Sequence, residues 1–412
     1  MVFMLAALMA SSSSAGSPSP SSSSSARRDG GRNVDGDWKR KVDGGDDNGN
    51  NNNNSNNSTT HHPFLSAFPK CEHHIHLEGA LTAPLLLALS AKNNIPLPSS
   101  SPDQPPTLDS LTALLSPPHS SLQAFLTLYE AHQTVLRTAS DFDLLAWTYL
   151  RRAHADHVVH AELSLDAQAH TARGVALSAA IDGVSAARRR AEAELGVSSR
   201  LVLCFQRDRP VADALRTLRE AAPHLASGAV AGVGLDSCEA GFPPGAFAGV
   251  FAEAARLGAR TTAHAGEGAG WDYVRDAVER LGVARIDHGV RAAESAELVA
   301  RLAAAGTLLT VCPLSNVSLG CVAAVRELPV RRFLDAGVRF SINSDDPAYF
   351  GGYLLDNYVA VQEAFGLSVG EWGVIGRASI EGSWVDGGRK REMLGELEAL
   401  LKGFEGAEPR DL

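Results

Sequence analysis

Eight short apolar runs constrain this chain more than any other feature. They are Lys70–His76, Val158–Leu165, Arg200–Phe205, Val230–Asp236, Arg260–Ala265, Arg285–Gly289, Thr307–Cys312 and Val338–Asn343, most of them followed by an Ala- and Leu-rich amphipathic stretch. A continuously apolar strand has no face to give to water. It belongs in a parallel sheet covered on both sides, and the intervening helical patterns supply the cover. Eight such units in one domain predict an α/β fold, a (β/α)8 TIM barrel closed on itself. The helical stretches fit this role: Ala292–Ala305 carries Leu298, Val299 and Leu302 on one face, Gly183–Leu195 sets Arg188, Arg189, Arg190 and Glu192 on a polar face, and Gly388–Gly403 reads as a terminal helix. The longest gap, residues 77–157, predicts a helical insertion after the first strand. Its Pro- and Ser-rich centre, Leu97–Ser121, reads as an exposed loop that touches no motif residue.

One barrel accounts for most of the 412 residues, of which 44% are hydrophobic. Residues 1–62 run through Ser, then Gly and Asp, then Asn, and cannot bury enough apolar surface to offset their ordering entropy. The chain therefore divides into a disordered tail, 1–62, and a barrel domain, 63–412. A net charge of −10 argues against nucleic acid and anionic membranes as partners. The five cysteines show no C-x-x-C pair, which predicts reduced thiols in an intracellular protein, cytoplasmic or also nuclear. No run approaches the roughly 18–20 apolar residues of a membrane span. Met1–Ala10 lacks the basic flank of a signal peptide.

The polar residues at the strand ends point to chemistry. His74 and His76 end the first strand, His264 the fifth, His288 the sixth, and Asp345 and Asp346 the eighth. In a barrel these ends share the rim on which active sites are built, so residues far apart in sequence converge. His74 and His76 alternate and point into the barrel together. Alone, such a pair is more often two hydrogen-bonded core histidines; with His264 and Asp345 it becomes an N3O set suited to Zn2+, one per chain, with a position left for water. Glu267 lies just past the fifth strand, where a buried carboxyl suits proton transfer to a ring nitrogen; the bland alternative is a helix N-terminal carboxylate. His288 is a candidate to orient or deprotonate the attacking water. Asp345 and Asp346 are adjacent like charges, and the conflict resolves if one takes the metal and the other the substrate. Nucleobase deaminases of the other zinc fold need H-x-E with a later P-C-x-x-C. His160-Ala161-Glu162 matches the first half, but the second is missing, so that class is excluded. No lysine lies between Lys92 and Lys390 to bridge two metals, which favours one.

Four stretches resemble the adenosine and adenine deaminase family in order and spacing. They are Pro69-Lys70 through His74-Ile75-His76-Leu77-Glu78-Gly79, His264-Ala265-Gly266-Glu267, Arg285-Ile286-Asp287-His288-Gly289 and Ser344-Asp345-Asp346-Pro347. Finer features are similar to the adenine deaminase branch of fungi and bacteria: Ala161 through Gln168 with His170, Arg173 and Gly174, Gly234-Leu235-Asp236-Ser237 with Glu239, Thr310 through Val317, and Ser344 through Tyr353. The resemblance implies a metal-dependent hydrolase barrel with zinc on His74, His76, His264 and Asp345. It also implies Glu267 as proton donor, His288 as catalytic histidine, Asp346 on the purine ring, and conversion of adenine to hypoxanthine and ammonia in purine salvage. Adenosine or an N6-substituted adenine such as a cytokinin is the alternative substrate, and a purine binder without catalysis the remoter one. Glu78 and Glu239 are candidates to shape the choice between base and nucleoside. His73 stands where the family usually has Leu and is expected to face away from the barrel interior.

Overall fold

The computed structural model describes residues 62–98, 105–119 and 121–412. The expectation for the tail concerns residues that, His62 apart, lie outside these. Eight parallel strands follow one another in sequence order: β1 (Lys70–His76), β2 (Val158–Leu165), β3 (Ser198–Gln206), β4 (Gly232–Asp236), β5 (Arg260–Ala265), β6 (Arg285–His288), β7 (Leu308–Val311) and β8 (Arg339–Ile342). All seven residues of β1 and all eight of β2 are buried, as strands lying between a packed interior and a helical layer must be.

The ring closes between β1 and β8. His76 N donates to Asp345 O and Asp345 N to His74 O, each at 3.0 Å, around the parallel bridge Ile75–Asp345. Nearer the middle of that seam side chains replace the ladder: His73 N donates to Asn343 Oδ1 at 2.8 Å, and Glu72 Oε1 accepts Ser344 N at 2.9 Å. Closure is therefore firmest at the rim that carries the polar residues.

The predicted strands are found within two residues of their ends. β3 begins earlier, at Ser198, whose Oγ lies 2.9 Å from His160 Nδ1. β4 begins later because Val230 N turns back to His224 O. Helices Leu177–Leu195 and Ala296–Ala305 contain the two predicted amphipathic cores, and the terminal helix runs Gly387–Gly403. Ala296–Ala305 ends at Gly306 with φ 65°, the left-handed turn that returns the chain to β7 and that glycine adopts without Cβ strain.

The insertion departs from expectation. Residues 108–115 of the stretch read as a loop form a helix, capped by Thr107 and Ser110 and burying Leu111 and Leu115. Those two leucines stand at i and i+4, a signal that the surrounding prolines and serines obscured. Among the described residues no helix is long and apolar enough to cross a membrane. All five cysteines are free thiols, with Cys71, Cys204 and Cys312 buried.

Candidate active site

The C-terminal ends of the strands set the site. His288 (φ 61°) at the end of β6, Asp345 (φ 65°) after β8 and Ser237 (φ 69°) after β4 all take the left-handed conformation, which costs a non-glycine residue of order 1–3 kcal/mol. In return the chain turns sharply at the rim while the His288 and Asp345 side chains stay inside. Gly79 makes room in the same way: a Cβ there would lie 2.1 Å from Asp346 Oδ1 and 2.7 Å from Asp346 Cα.

The proposed ligands converge. One donor atom from each of His74, His76, His264 and Asp345 falls within 4.8 Å of the others, and all four residues are buried. His74 Nε2 lies 3.1 Å from Asp345 Oδ1, His76 Nε2 lies 3.1 Å from His264 Nε2, and His76 Nε2 lies 3.6 Å from Asp345 Oδ1. The far ring nitrogens are committed elsewhere. His264 Nδ1 donates to Leu235 O at 3.1 Å, and His74 Nδ1 to Thr310 Oγ1 at 2.9 Å, whose hydroxyl in turn donates to Asp287 Oδ1 at 3.1 Å. Such partners fix the Nδ1–H tautomer and leave the Nε2 lone pairs facing the common centre. Three imidazole nitrogens and a carboxylate around one point, with His74 Nε2 buried and lacking a neutral hydrogen-bond partner, fit a divalent cation of the zinc type.

Glu267 and His288 stand beside this centre. His288 Nε2 is 3.6 Å from Glu267 Oε1 and 3.8 Å from Asp345 Oδ2, while its Nδ1 lies 3.4 Å from the Asn316 amide. Burial, then the negative charges of Asp345 and Glu239, push the Glu267 carboxyl well above the usual carboxylate range. Burial and the His74 imidazole push His288 down to about 3, so its ring is neutral at pH 7. Burial and neighbouring Asp345 likewise push Asp346 well above its ordinary value, so the two adjacent aspartates do not share one ionisation state. Ser315 Oγ donates to Asp345 Oδ2 at 2.7 Å and holds the charged member of the pair.

A cavity of about 510 Å³, measured to its open mouth, joins His76, His264, Glu267, His288, Asp345 and Asp346. All seven sequence-predicted residues thus gather at one rim, with His74 behind the cavity wall. Glu78 and Glu239 do not line the cavity. Glu78 is buried, bonded to His170 Nε2 at 2.6 Å and Asp166 N at 3.1 Å. His73 points away from the centre, with Ser341 Oγ at 3.0 Å and Ser383 Oγ at 2.9 Å.

Sequence reasoning missed the outer wall. Leu122, Phe125, Leu126 and Tyr129, from the insertion helix Leu122–His132, line the cavity on an i, i+3, i+4, i+7 stripe that could have been read as such. The supports Thr310, Ser315 and Asp287, and the acids Asp166 and Asp236 across the cavity, lie in stretches the sequence singled out, but it gave them no role, because their partners come from other strands. The expectation that Leu97–Ser121 stays clear of the motifs is overturned. His119 Nε2 lies 3.0 Å from Tyr349 O, three residues beyond Asp346, and the His119 ring packs edge-on against Phe350.

The same barrel occurs among amidohydrolases of known structure. One from Burkholderia ambifaria, solved with bound Zn, superposes with a TM-score of 0.75 at 26% identity, over 86% of this chain and 97% of its own. Residues 69–400 match the model of the adenosine deaminase family, and the chain belongs to that family. Within it, the chain is 50% identical over 341 residues to an adenine deaminase of Aspergillus fumigatus, covering 82% of this chain and 96% of the relative. It is 47% identical to one of Schizosaccharomyces pombe over 344 residues, 83% of this chain and 93% of that protein. The crystal structure of adenine deaminase from Arthrobacter aurescens aligns with a TM-score of 0.76 at 40% identity, over 81% of this chain and 99% of its own.

Proposed function

We propose that this protein hydrolyses adenine to hypoxanthine and ammonia with one Zn2+ per chain. One observation carries the chemistry: a buried carboxyl, Glu267, held in its acid form beside four converging metal-ligand atoms. The choice of adenine rests on the relatives of that name, aligned with this chain over nearly their whole length. His74, His76, His264 and Asp345 would hold the zinc, which when bound lowers the pKa of water toward ~7 and so makes it a nucleophile at neutral pH. His288, whose unpartnered Nε2 stands 3.6 Å from Glu267 Oε1 and 3.8 Å from Asp345 Oδ2, would accept a proton from the water that attacks C6. Glu267 gives its proton to N1, so the ring does not carry a full negative charge when C6 becomes tetrahedral. Protonated Asp346 donates to N7 and fixes the ring plane. His288 passes the proton it took to the 6-amino group, which leaves as ammonia, and the C6 hydroxyl returns a proton to Glu267 as the carbonyl of hypoxanthine forms.

Ammonia release from adenine, adenosine and N6-methyladenine in parallel, with zinc-loaded protein, tests the reading. Turnover of adenine alone is expected. Turnover of adenosine alone would overturn the substrate while keeping the chemistry, and no release from any of the three would overturn both.

A further inference from the structure

Glu239 is a buried carboxylate, 1% exposed, to which the reaction above gives no part. It stands three residues after β4 and faces the loop that carries Glu267. Ala269 N donates to its Oε2 at 2.6 Å, while Oε1 is buried without a hydrogen-bond partner. The path of residues 267–269 is thereby tied to β4 rather than left to the loop's three glycines.

Arg207 completes the arrangement. It is 2% exposed, its Nε donates to Asp236 O at 3.1 Å, and its Nη2 donates to His264 O. Against the burial that disfavours its charge, Glu239 is the leading compensating carboxylate. On the opposite side Arg291 Nε donates to Glu267 O at 3.2 Å. The loop is therefore held at two points, Glu267 O by Arg291 and Ala269 N by Glu239.

We propose that Glu239 is a positioning residue for proton transfer: it holds the Glu267 loop so that the carboxyl reaches the ring nitrogen. The proposal rests on the reading of Glu267 as proton donor. A displacement of about 1 Å in a catalytic group can cost roughly 10²-fold in rate, so the effect is measurable.

The test is a double-mutant cycle on the full, zinc-loaded chain, with kcat and KM for adenine, zinc content and melting temperature measured for each variant. Glu239→Ala is expected to lower kcat by about 10²-fold, with KM within about threefold of the parent and zinc content unchanged. Glu239→Gln, which keeps one acceptor oxygen for Ala269 N, is expected to recover part of that loss. In a Glu267→Gln background the same Glu239→Ala change is expected to cost less than about twofold, because the group it positions is already gone. An equal loss in both backgrounds would overturn the proposal and leave Glu239 as general scaffolding. If Glu239→Ala does not fold or loses zinc, Glu239→Gln carries the cycle under the same criterion. Full activity of Glu267→Gln by itself would instead remove the underlying reading, and the proposal with it.

Discussion

The reaction asks Glu267 for a proton that an ordinary glutamate would have lost at pH 7. Burial together with Asp345 and Glu239 holds that proton in place. Because the acid form is the active one, kcat/KM is expected to be full below the raised pKa and to fall about tenfold per pH unit above it. Glu267→Gln should cost about 10²–10⁴-fold in kcat and abolish this alkaline limb, with zinc content unchanged by atomic absorption. A limb that persists in the variant would assign the titration to another group. Thr310 tests the support of the metal site. Its hydroxyl accepts from His74 Nδ1 and donates to Asp287, and valine preserves the shape while removing both bonds. Thr310→Val should weaken zinc binding by about 10–100-fold in competition with a chelator. Unchanged affinity would mean that packing alone orients His74.

Between elements, the decisive contact is a buried carboxylate inside the barrel. Glu162 on β2 accepts Arg285 Nη1 of β6 at 2.7 Å, His160 Nε2 at 3.3 Å and Trp384 N at 2.5 Å, so it ties two strands to the segment after helix Val369–Gly382. Trp384 packs on Val202 and Cys204, with its ring centroid 4.2 Å from the Arg285 guanidinium carbon. Burial would push Glu162 up, but Arg285 and His160 outweigh it and hold the carboxyl well below its ordinary value. A carboxylate depressed in the folded state contributes stability above its unfolded pKa and loses it as the pH falls. Glu162→Gln should cost about 3 kcal/mol at pH 7 in urea unfolding, because buried Arg285 loses its nearer carboxylate and keeps only Asp287 Oδ1 at 3.8 Å. The variant should also lose less stability than the parent between about pH 5 and 3. A cost below about 1 kcal/mol would show that water already compensates Arg285. The element boundaries teach a related lesson. β1, β2 and β5 run as their apolar patterns predict, whereas helix Leu108–Leu115 was hidden because its two buried leucines lie among turn-forming residues.

For the whole molecule, the proposed ligands come from β1, β5 and the turn after β8, so one ion would join the first, fifth and last strands. Such an ion binds the folded chain and not the unfolded one. Removing it with a chelator should abolish deamination and lower the melting temperature by roughly 5–10 °C, and added zinc should restore both. An unchanged melting temperature after verified metal loss would show that the barrel closes without help from the centre.

Periodicity alone determined the barrel, since eight doubly apolar strands have few other ways to bury both faces. It also placed His74, His76, His264, His288, Asp345 and Asp346 on one rim, because parallel strands in a closed ring all end on the same side. Residue type narrowed their roles, as imidazoles and carboxylates at strand ends are costly unless they share a cation or a proton. Tertiary structure decided the rest. Only the fold puts Thr310 behind His74, sets Glu239 against the loop of Glu267, and brings the insertion helix over the cavity. These groups are ordinary in sequence, and their effect depends on distances of about 3 Å between segments tens to hundreds of residues apart, which no local pattern encodes.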